Sequence, residues 1–208
     1  MKKLLCLMGG AMLLFNAYAQ KTNVAPLSVG ERVADLPIHS ILNYKDTVAM
    51  LSSFGGKLVI LDFWGVHCTT CISMFPKEDS LQNLFRDSLQ FVLVTVDSLQ
   101  KVDRFLNKWN SHRERPLSIP VVANDRLLYQ LFPFKFIPHY VWLMPNGTLL
   151  AQTSEDFIDE AVIRNTLKAI NAKEQELKED GFGEEMFHFP KMTSRQKLQY
   201  TPFLKSNL

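Results

Sequence analysis

Cys68 and Cys71 are two thiols separated by Thr69 and Thr70. A thiolate can attack a disulfide sulfur to form a mixed disulfide, and a second thiol close by can resolve that intermediate. The pair follows an apolar run typical of a buried strand and precedes a stretch with helical spacing. Cys68 is therefore expected near a helix N-terminus, where free backbone N–H groups and the helix dipole stabilise a thiolate. We expect Cys68 to attack and Cys71 to resolve.

A disulfide between such close residues closes a very short loop and removes little entropy from the unfolded chain. This favours a chemical role for the pair over a bracing role. A static disulfide in a binding domain is the alternative, and Cys68→Ser would separate the two. The third cysteine, Cys6, lies in the N-terminal apolar segment and is expected to be discarded with it.

The N-terminus has the pattern of a secretory signal peptide. Lys2 and Lys3 precede an apolar run from Leu4 to Phe15, and Ala17-Tyr18-Ala19 offers a small-x-small cleavage site. The alternative is a membrane anchor, but the run is shorter than the roughly 20 residues that span a bilayer. We predict cleavage after residue 19 and export to a periplasmic or cell-envelope location, where disulfides persist.

Charge gives no support for a nucleic-acid partner. The chain has 208 residues, 23 of them basic and 21 acidic. Lys2 and Lys3 lie in the predicted signal peptide, which has no acidic residue, so cleavage leaves equal numbers of the two signs. A neutral protein lacks the positive field that binds phosphates.

Alternating apolar runs and helical periodicities predict a parallel βαβ core. Asn146-Gly147 predicts a tight turn between the last two strands, which should then pair antiparallel. The predicted strands are 47–51, 57–64, 91–96, 119–122, 140–144 and 148–152, and the predicted helices are 71–85, 102–109, 125–132 and 156–170.

These elements predict one α/β domain, a central mixed sheet flanked by helices, over residues 27–170. Residues 1–19 are the predicted signal peptide and residues 20–26 a short linker. Residues 171–208 are an extension without a clean period, to which the sequence assigns no role.

The region 27–170 resembles the thioredoxin superfamily and, within it, the exported TlpA-like thiol-disulfide oxidoreductases. Asp62 stands six residues before Cys68, where thioredoxins carry a buried acid, and Trp64 follows it closely. Pro76 falls at the family's helix kink. Phe136 to Tyr140 matches the segment that holds the family's cis-proline, and the leader and a central strand-helix insertion also resemble the TlpA-like branch.

The resemblance implies roles for four residues near the cysteines. Asp62 would accept a proton from Cys71 during resolution, because a carboxyl in apolar surroundings can exchange protons near neutral pH. Ile137 would offer its backbone to a substrate strand, and Pro138 would lie against the sulfurs. Trp64 would cover one side of the disulfide and belongs with Ile137 and Pro138 to the residues expected at the substrate-binding surface. No cofactor or metal is implied.

The resemblance further implies exported proteins with thiols or disulfides as partners and a membrane thiol carrier as electron donor. His67 replaces the tryptophan often found before the first cysteine, and Thr69-Thr70 replaces the usual Gly-Pro or Glu-Pro. The intervening dipeptide tunes the potential, so the direction of electron flow stays open, with a reductase favoured.

Two other functions are weighed against this one. Two thiols with His67 or His139 could bind copper or another metal as a carrier. Copper-delivering relatives, however, usually separate their cysteines by three residues, and Pro138 beside the sulfurs disfavours a metal. A peroxiredoxin would need a threonine three residues before its reactive cysteine, where this chain has Gly65.

Overall fold

The computed structural model describes residues 24–183 and 188–205. Within them the chain forms eight strands and five α-helices. The strands are β1 (Pro37–His39), β2 (Ile41–Leu42), β3 (Val48–Met50), β4 (Leu58–Phe63), β5 (Leu89–Val94), β6 (Val121–Val122), β7 (His139–Leu143) and β8 (Leu149–Thr153). The helices are α1 (Thr69–Leu84), α2 (Leu99–Asn110), α3 (Leu127–Leu131), α4 (Glu160–Glu179) and α5 (Ser194–Lys205).

A six-stranded mixed sheet with the order β2-β6-β5-β4-β7-β8 forms the centre of the domain. β4, β5 and β6 run parallel, while β7 and β8 pair antiparallel, as does β2 with β6. α1 and α2 connect the parallel strands, as the βαβ pattern predicts. The predicted α/β class with a mixed central sheet is confirmed, and β1 and β3 form a separate antiparallel pair.

The sheet separates two apolar clusters, and β4 contributes to both because successive side chains of a strand point to opposite faces. Leu58, Ile60 and Trp64 belong to the cluster that includes buried residues of α1, α2 and α4. Val59, Leu61 and Phe63 belong to the cluster with α3 and the N-terminal segment. Asp62 lies two residues after Ile60 and two before Trp64, so its side chain faces the α1 side of the sheet.

The last helix of the predicted domain is longer than its sequence pattern indicates. A 3-10 turn at Glu155–Phe157 comes first, and α4 then begins after Asp159, whose carboxylate accepts a hydrogen bond from the Ala161 N–H at 2.8 Å. The helix continues to Glu179, past the predicted end at Ile170, because the exposed polar turns after Ile170 contain good helix formers. Exposed polar turns have no apolar residues at helical spacing, so the apolar periodicity of the sequence ends before the helix does.

The C-terminal segment packs back onto the domain. The Asp35 N–H donates to the Pro190 carbonyl at 2.7 Å, and Tyr200 of α5 is only 6% exposed in the cluster that contains α3. Phe189 covers the β7–β8 turn so closely that a Cβ at Gly147 would lie 2.7 Å from its ring. Residues 188–205 are therefore part of the packed structure.

The predicted signal peptide, including Cys6, lies outside the described residues. In the part of the chain that is described, no helix combines the length and apolar character needed to cross a bilayer.

Candidate active site

Cys68 is the residue that caps the N-terminus of α1. Its backbone is extended, and its sulfur accepts a hydrogen bond from the Cys71 N–H at 3.2 Å. This N–H is one of the unpaired donors of the first helical turn, and in the reduced protein it would stabilise a thiolate on Cys68. The two cysteines form a disulfide, with an S–S distance of 1.99 Å.

The two sulfurs differ in access to solvent. Cys68 is partly exposed and stands between exposed neighbours, whereas Cys71 is fully buried. A protein substrate can therefore reach Cys68 more easily than Cys71, and the roles of attacking and resolving thiol stay a prediction. Pro76 lies inside α1, at the position predicted for a kink.

The segment that precedes β7 lies beside the cysteine loop. The Ile137–Pro138 peptide bond is cis. A Cβ at Gly65 would lie 3.6 Å from Ile137 Cδ1, so the loop before Cys68 and the Ile137 side chain are neighbours. Ile137 is 37% exposed and Phe136 is 81% exposed, which leaves apolar surface available to a substrate next to the cysteines.

Trp64 lies in the core. Its side chain is 1% exposed and packs edge-on against Phe75, with ring centroids 5.0 Å apart, and also against Phe105. The Tyr129 hydroxyl donates to the Trp64 carbonyl at 3.3 Å. The indole thus packs against α1 in the core and is not part of the accessible surface around Cys68, where the resemblance leads us to expect a substrate contact.

Asp62 is a buried acid with a second acid beside it. Asp62 and Glu78 are both fully buried, and the Tyr140 hydroxyl donates to Glu78 Oε1 at 2.7 Å. Burial raises the pKa of Asp62 well above its ordinary value, and the neighbouring charge of Glu78 raises it further. Burial also raises the pKa of Glu78 to about 8, against the lowering effect of the Tyr140 hydrogen bond.

Asp97 holds the loop that leads to the cysteines. Its Oδ2 accepts a hydrogen bond from the Val66 N–H at 3.0 Å, and its own N–H donates to Thr95 Oγ1 at 3.1 Å. The Lys101 Nζ lies 3.9 Å from Asp97 Oδ1. Asp97 therefore fixes the backbone two residues before Cys68.

The histidines considered as metal ligands are placed differently from one another. His67 is exposed, while His139 shares a hydrogen bond with Gln152 Oε1 at 2.9 Å and stacks on Phe134. Burial lowers the pKa of His139. Among the described residues, no three histidine, cysteine, aspartate or glutamate side chains are grouped so that they could hold a metal ion.

Sequence reasoning missed Glu78, Tyr140 and Asp97. Glu78 lies seven residues after Cys71, and this spacing places both on one face of α1. The spacing was the available signal, because an acid on the apolar face of a helix is unusual. Nothing in the sequence near Tyr140 or Asp97 indicated their partners.

Known proteins share the α/β fold described above for this chain. No protein-family model matches the chain. The crystal structure of a protein assigned as the thiol:disulfide interchange protein DsbE of Chlorobium tepidum superimposes with a TM-score of 0.56 and 25% identity, over 69% of this chain and 99% of that one. The fold is that of the thioredoxin-like thiol-disulfide oxidoreductases.

Two curated relatives carry related names. The thiol-disulfide oxidoreductase ResA of Oceanobacillus iheyensis is 25% identical over 126 residues, which are 58% of this chain and 62% of that protein. The thioredoxin-like protein YneN of Bacillus subtilis is 26% identical over 91 residues, 44% of this chain and 51% of that protein. The curated relatives are matched over only 9% to 62% of their own length.

Proposed function

We propose that this protein is a thiol-disulfide oxidoreductase that exchanges disulfides with exported proteins, with reduction as the favoured direction. The observation that carries the proposal is the Cys68–Cys71 disulfide at the N-terminus of α1, with one sulfur partly exposed and the other buried. Relatives with thiol-disulfide names and the shared fold support it.

The proposed reaction begins at Cys68. Its thiolate attacks one sulfur of a substrate disulfide, the substrate S–S bond breaks, and the other substrate sulfur leaves as a thiolate. Cys71 then gives its proton to Asp62, and the Cys71 thiolate attacks the Cys68 sulfur. The bond between Cys68 and the substrate breaks, so the substrate leaves reduced and the protein keeps the disulfide. An external dithiol must then reduce the pair before the next cycle.

Substrate recognition is proposed for the surface around Ile137 and Pro138. The exposed apolar side chains of Phe136 and Ile137 lie next to the cysteine loop, and an extended substrate segment could pair with the backbone there. Exposed protein disulfides are therefore the proposed substrate class. The proposed exported location rests on the sequence pattern of residues 1–19.

The reduction potential of the Cys68–Cys71 pair tests the proposal. The protein is equilibrated in dithiol or glutathione buffers of known potential, and free thiols are counted after alkylation. A value near that of thioredoxin, about −270 mV, supports a reductase, and a value near −120 mV marks a disulfide donor. Failure of the pair to cycle reversibly would overturn the proposed activity and favour a static disulfide.

A further inference from the structure

Two acids and a tyrosine from three different elements meet on the α1 side of the sheet. Asp62 comes from β4, Tyr140 from β7 and Glu78 from the third turn of α1. Asp62 and Tyr140 are direct cross-strand partners in the β4–β7 pairing. Directly opposite residues point to the same face, so both side chains reach toward α1.

The oxygens of this group are only partly satisfied. The Tyr140 hydroxyl donates to Glu78 Oε1, but among the described residues no N–H or O–H group donates to Glu78 Oε2 or to either oxygen of Asp62, and a hydrogen bond between the two carboxyls needs a proton on one of them. Buried carboxyl oxygens without donors are costly, and a proton on one acid supplies a donor to the other. The unpaired oxygens therefore favour one proton shared between the two acids.

No positive charge is buried with these acids. Among the residues whose side-chain burial the structure describes, the buried charged side chains are Asp62, Glu78 and Asp125. Burial raises the pKa of Tyr140, and the charges of Asp62 and Glu78 raise it further. The side chains that shift the pKa of Asp62 and of Glu78 are each other and Tyr140, and none of these is a cation, so a proton must neutralise the pair.

The group lies along the face of α1 that carries Cys71. Cys71, Phe75 and Glu78 are all buried, at spacings of four and three residues that keep them on one side of a helix. Seven residues correspond to about 10 Å along the helix axis. The acids are therefore placed on the same side of α1 as the thiol whose proton must be removed.

We propose that Asp62 and Glu78 act as one proton-sharing pair beneath the cysteines, with Glu78 as a positioning residue that the Tyr140 hydroxyl holds in place. This inference rests on the proposed function. Glu78 acts on the resolving step through Asp62 and does not touch the sulfurs. When Cys71 gives up its proton, the ionised form of the pair takes it up as the shared proton and returns it to solvent before the next cycle.

Two conservative substitutions should shift this pair in opposite directions. Glu78→Gln keeps the acceptor for Tyr140 but removes the neighbouring charge and donates to Asp62, so Asp62 should lose its proton at lower pH. Tyr140→Phe removes a donor that stabilises ionised Glu78, so the pair should keep its proton to higher pH. In the double variant, Tyr140→Phe should cause almost no further shift in the pH at which Asp62 loses its proton, because Tyr140 acts through Glu78.

The kinetic test uses an aromatic disulfide whose thiolate is coloured. Reduced protein releases one coloured thiolate when Cys68 attacks and a second when Cys71 resolves, so the two steps appear as separate phases. The expected result for Glu78→Gln is a midpoint of the second-phase pH profile that is lower by about one unit or more. For Tyr140→Phe we expect a higher midpoint. The first phase, and the control variants Glu114→Gln and Tyr44→Phe, should match the unmodified protein.

A second readout does not depend on turnover. In the oxidised protein, the infrared band of a protonated carboxyl should persist above about pH 7, where the exposed acids are ionised and Asp125, whose pKa burial raises to about 6, is largely ionised. The band should disappear at lower pH in Glu78→Gln and at higher pH in Tyr140→Phe. If the cysteines fail to cycle but the band shifts in this way, the result supports the proton-sharing pair of Asp62 and Glu78 and contradicts the proposed function.

Equal midpoints in both variants, or shifts in the same direction, would overturn the pair in either readout. If Glu78→Gln does not fold, Tyr140→Phe alone decides, because an unchanged band and an unchanged second phase contradict the inference.

Discussion

Asp62 and Tyr140 stand directly opposite each other on neighbouring antiparallel strands, and both face the helix that carries the cysteine pair. The pairing brings an acid that the sequence singles out together with a tyrosine that it does not. Through Tyr140, the strand β7 also reaches Glu78 of α1. The proposed proton chemistry of the candidate site therefore depends on three elements, and each contributes one side chain.

Asp62→Asn is expected to slow resolution and leave the first attack unchanged. The amide has nearly the same shape but cannot accept the proton of Cys71. Loss of a general base should reduce the second phase of coloured thiolate release at pH 7 by about 10-fold or more. Equal second-phase rates in the variant and the unmodified protein would contradict a role for Asp62 in proton transfer.

The two cysteine variants should behave differently with a substrate disulfide. Cys71→Ser retains the partly exposed sulfur of Cys68 and should accumulate a mixed disulfide, which non-reducing electrophoresis and mass spectrometry detect. Cys68→Ser leaves a fully buried sulfur and should trap little or no substrate. Efficient trapping by Cys68→Ser would reverse the assigned roles. Melting temperatures of the two variants serve as the control for folding.

Much of the fold was predictable because it depends on local patterns. The buried run at β4, the helix after the cysteines and the Asn146-Gly147 turn are all signals within a few residues of the chain. The burial of Glu78 was not predictable, because it requires Tyr140 to arrive from a strand some 60 residues away. Helix α5 was missed for a similar reason, since it is fixed by the packing of Tyr200 and has only weak periodicity of its own.

Asp97→Ala should loosen the loop before the cysteines. It removes the acceptor for the Val66 N–H and should lower the free energy of unfolding by about 1 kcal/mol. Because Val66 is two residues from Cys68, the first phase of thiolate release should also slow. Asp103→Ala is the matched control, since Asp103 is exposed on α2. An unchanged first phase in Asp97→Ala, or equal slowing in Asp103→Ala, would contradict this role of Asp97.

The C-terminal helix should contribute to stability through Tyr200. Replacing this buried ring by alanine removes a large apolar side chain from the cluster with α3 and should cost about 3 kcal/mol. Leu198→Ala is the control on the same helix, because Leu198 is 78% exposed and its loss should change stability by less than about 0.5 kcal/mol. Chemical denaturation of the oxidised variants measures both. Similar effects of the two substitutions would show that α5 does not dock as described.

The pH dependence of stability should also reveal the buried acids. In the unfolded chain Asp62 and Glu78 have ordinary pKa values of about 3.9 and 4.3, whereas in the folded protein both pKa values are raised. The folded state therefore binds more protons than the unfolded state across this window. Its free energy of unfolding should decrease as pH rises, by about 1.4 kcal/mol per pH unit for each extra proton held.

The decrease should continue until Glu78 loses its proton near pH 8. Asp125, whose pKa burial raises to about 6, adds a decrease of the same sign around and below that pH, and His139, whose pKa burial lowers, adds an increase around pH 6.5. The pair is therefore isolated by comparing the unmodified protein with a variant that lacks both acids from about pH 6.5 to pH 8. Urea unfolding of the oxidised protein should show the downward slope, and the Asp62→Asn/Glu78→Gln double variant should flatten it because neither amide titrates. An equal slope in both proteins would place the extra protons elsewhere and contradict the buried pair.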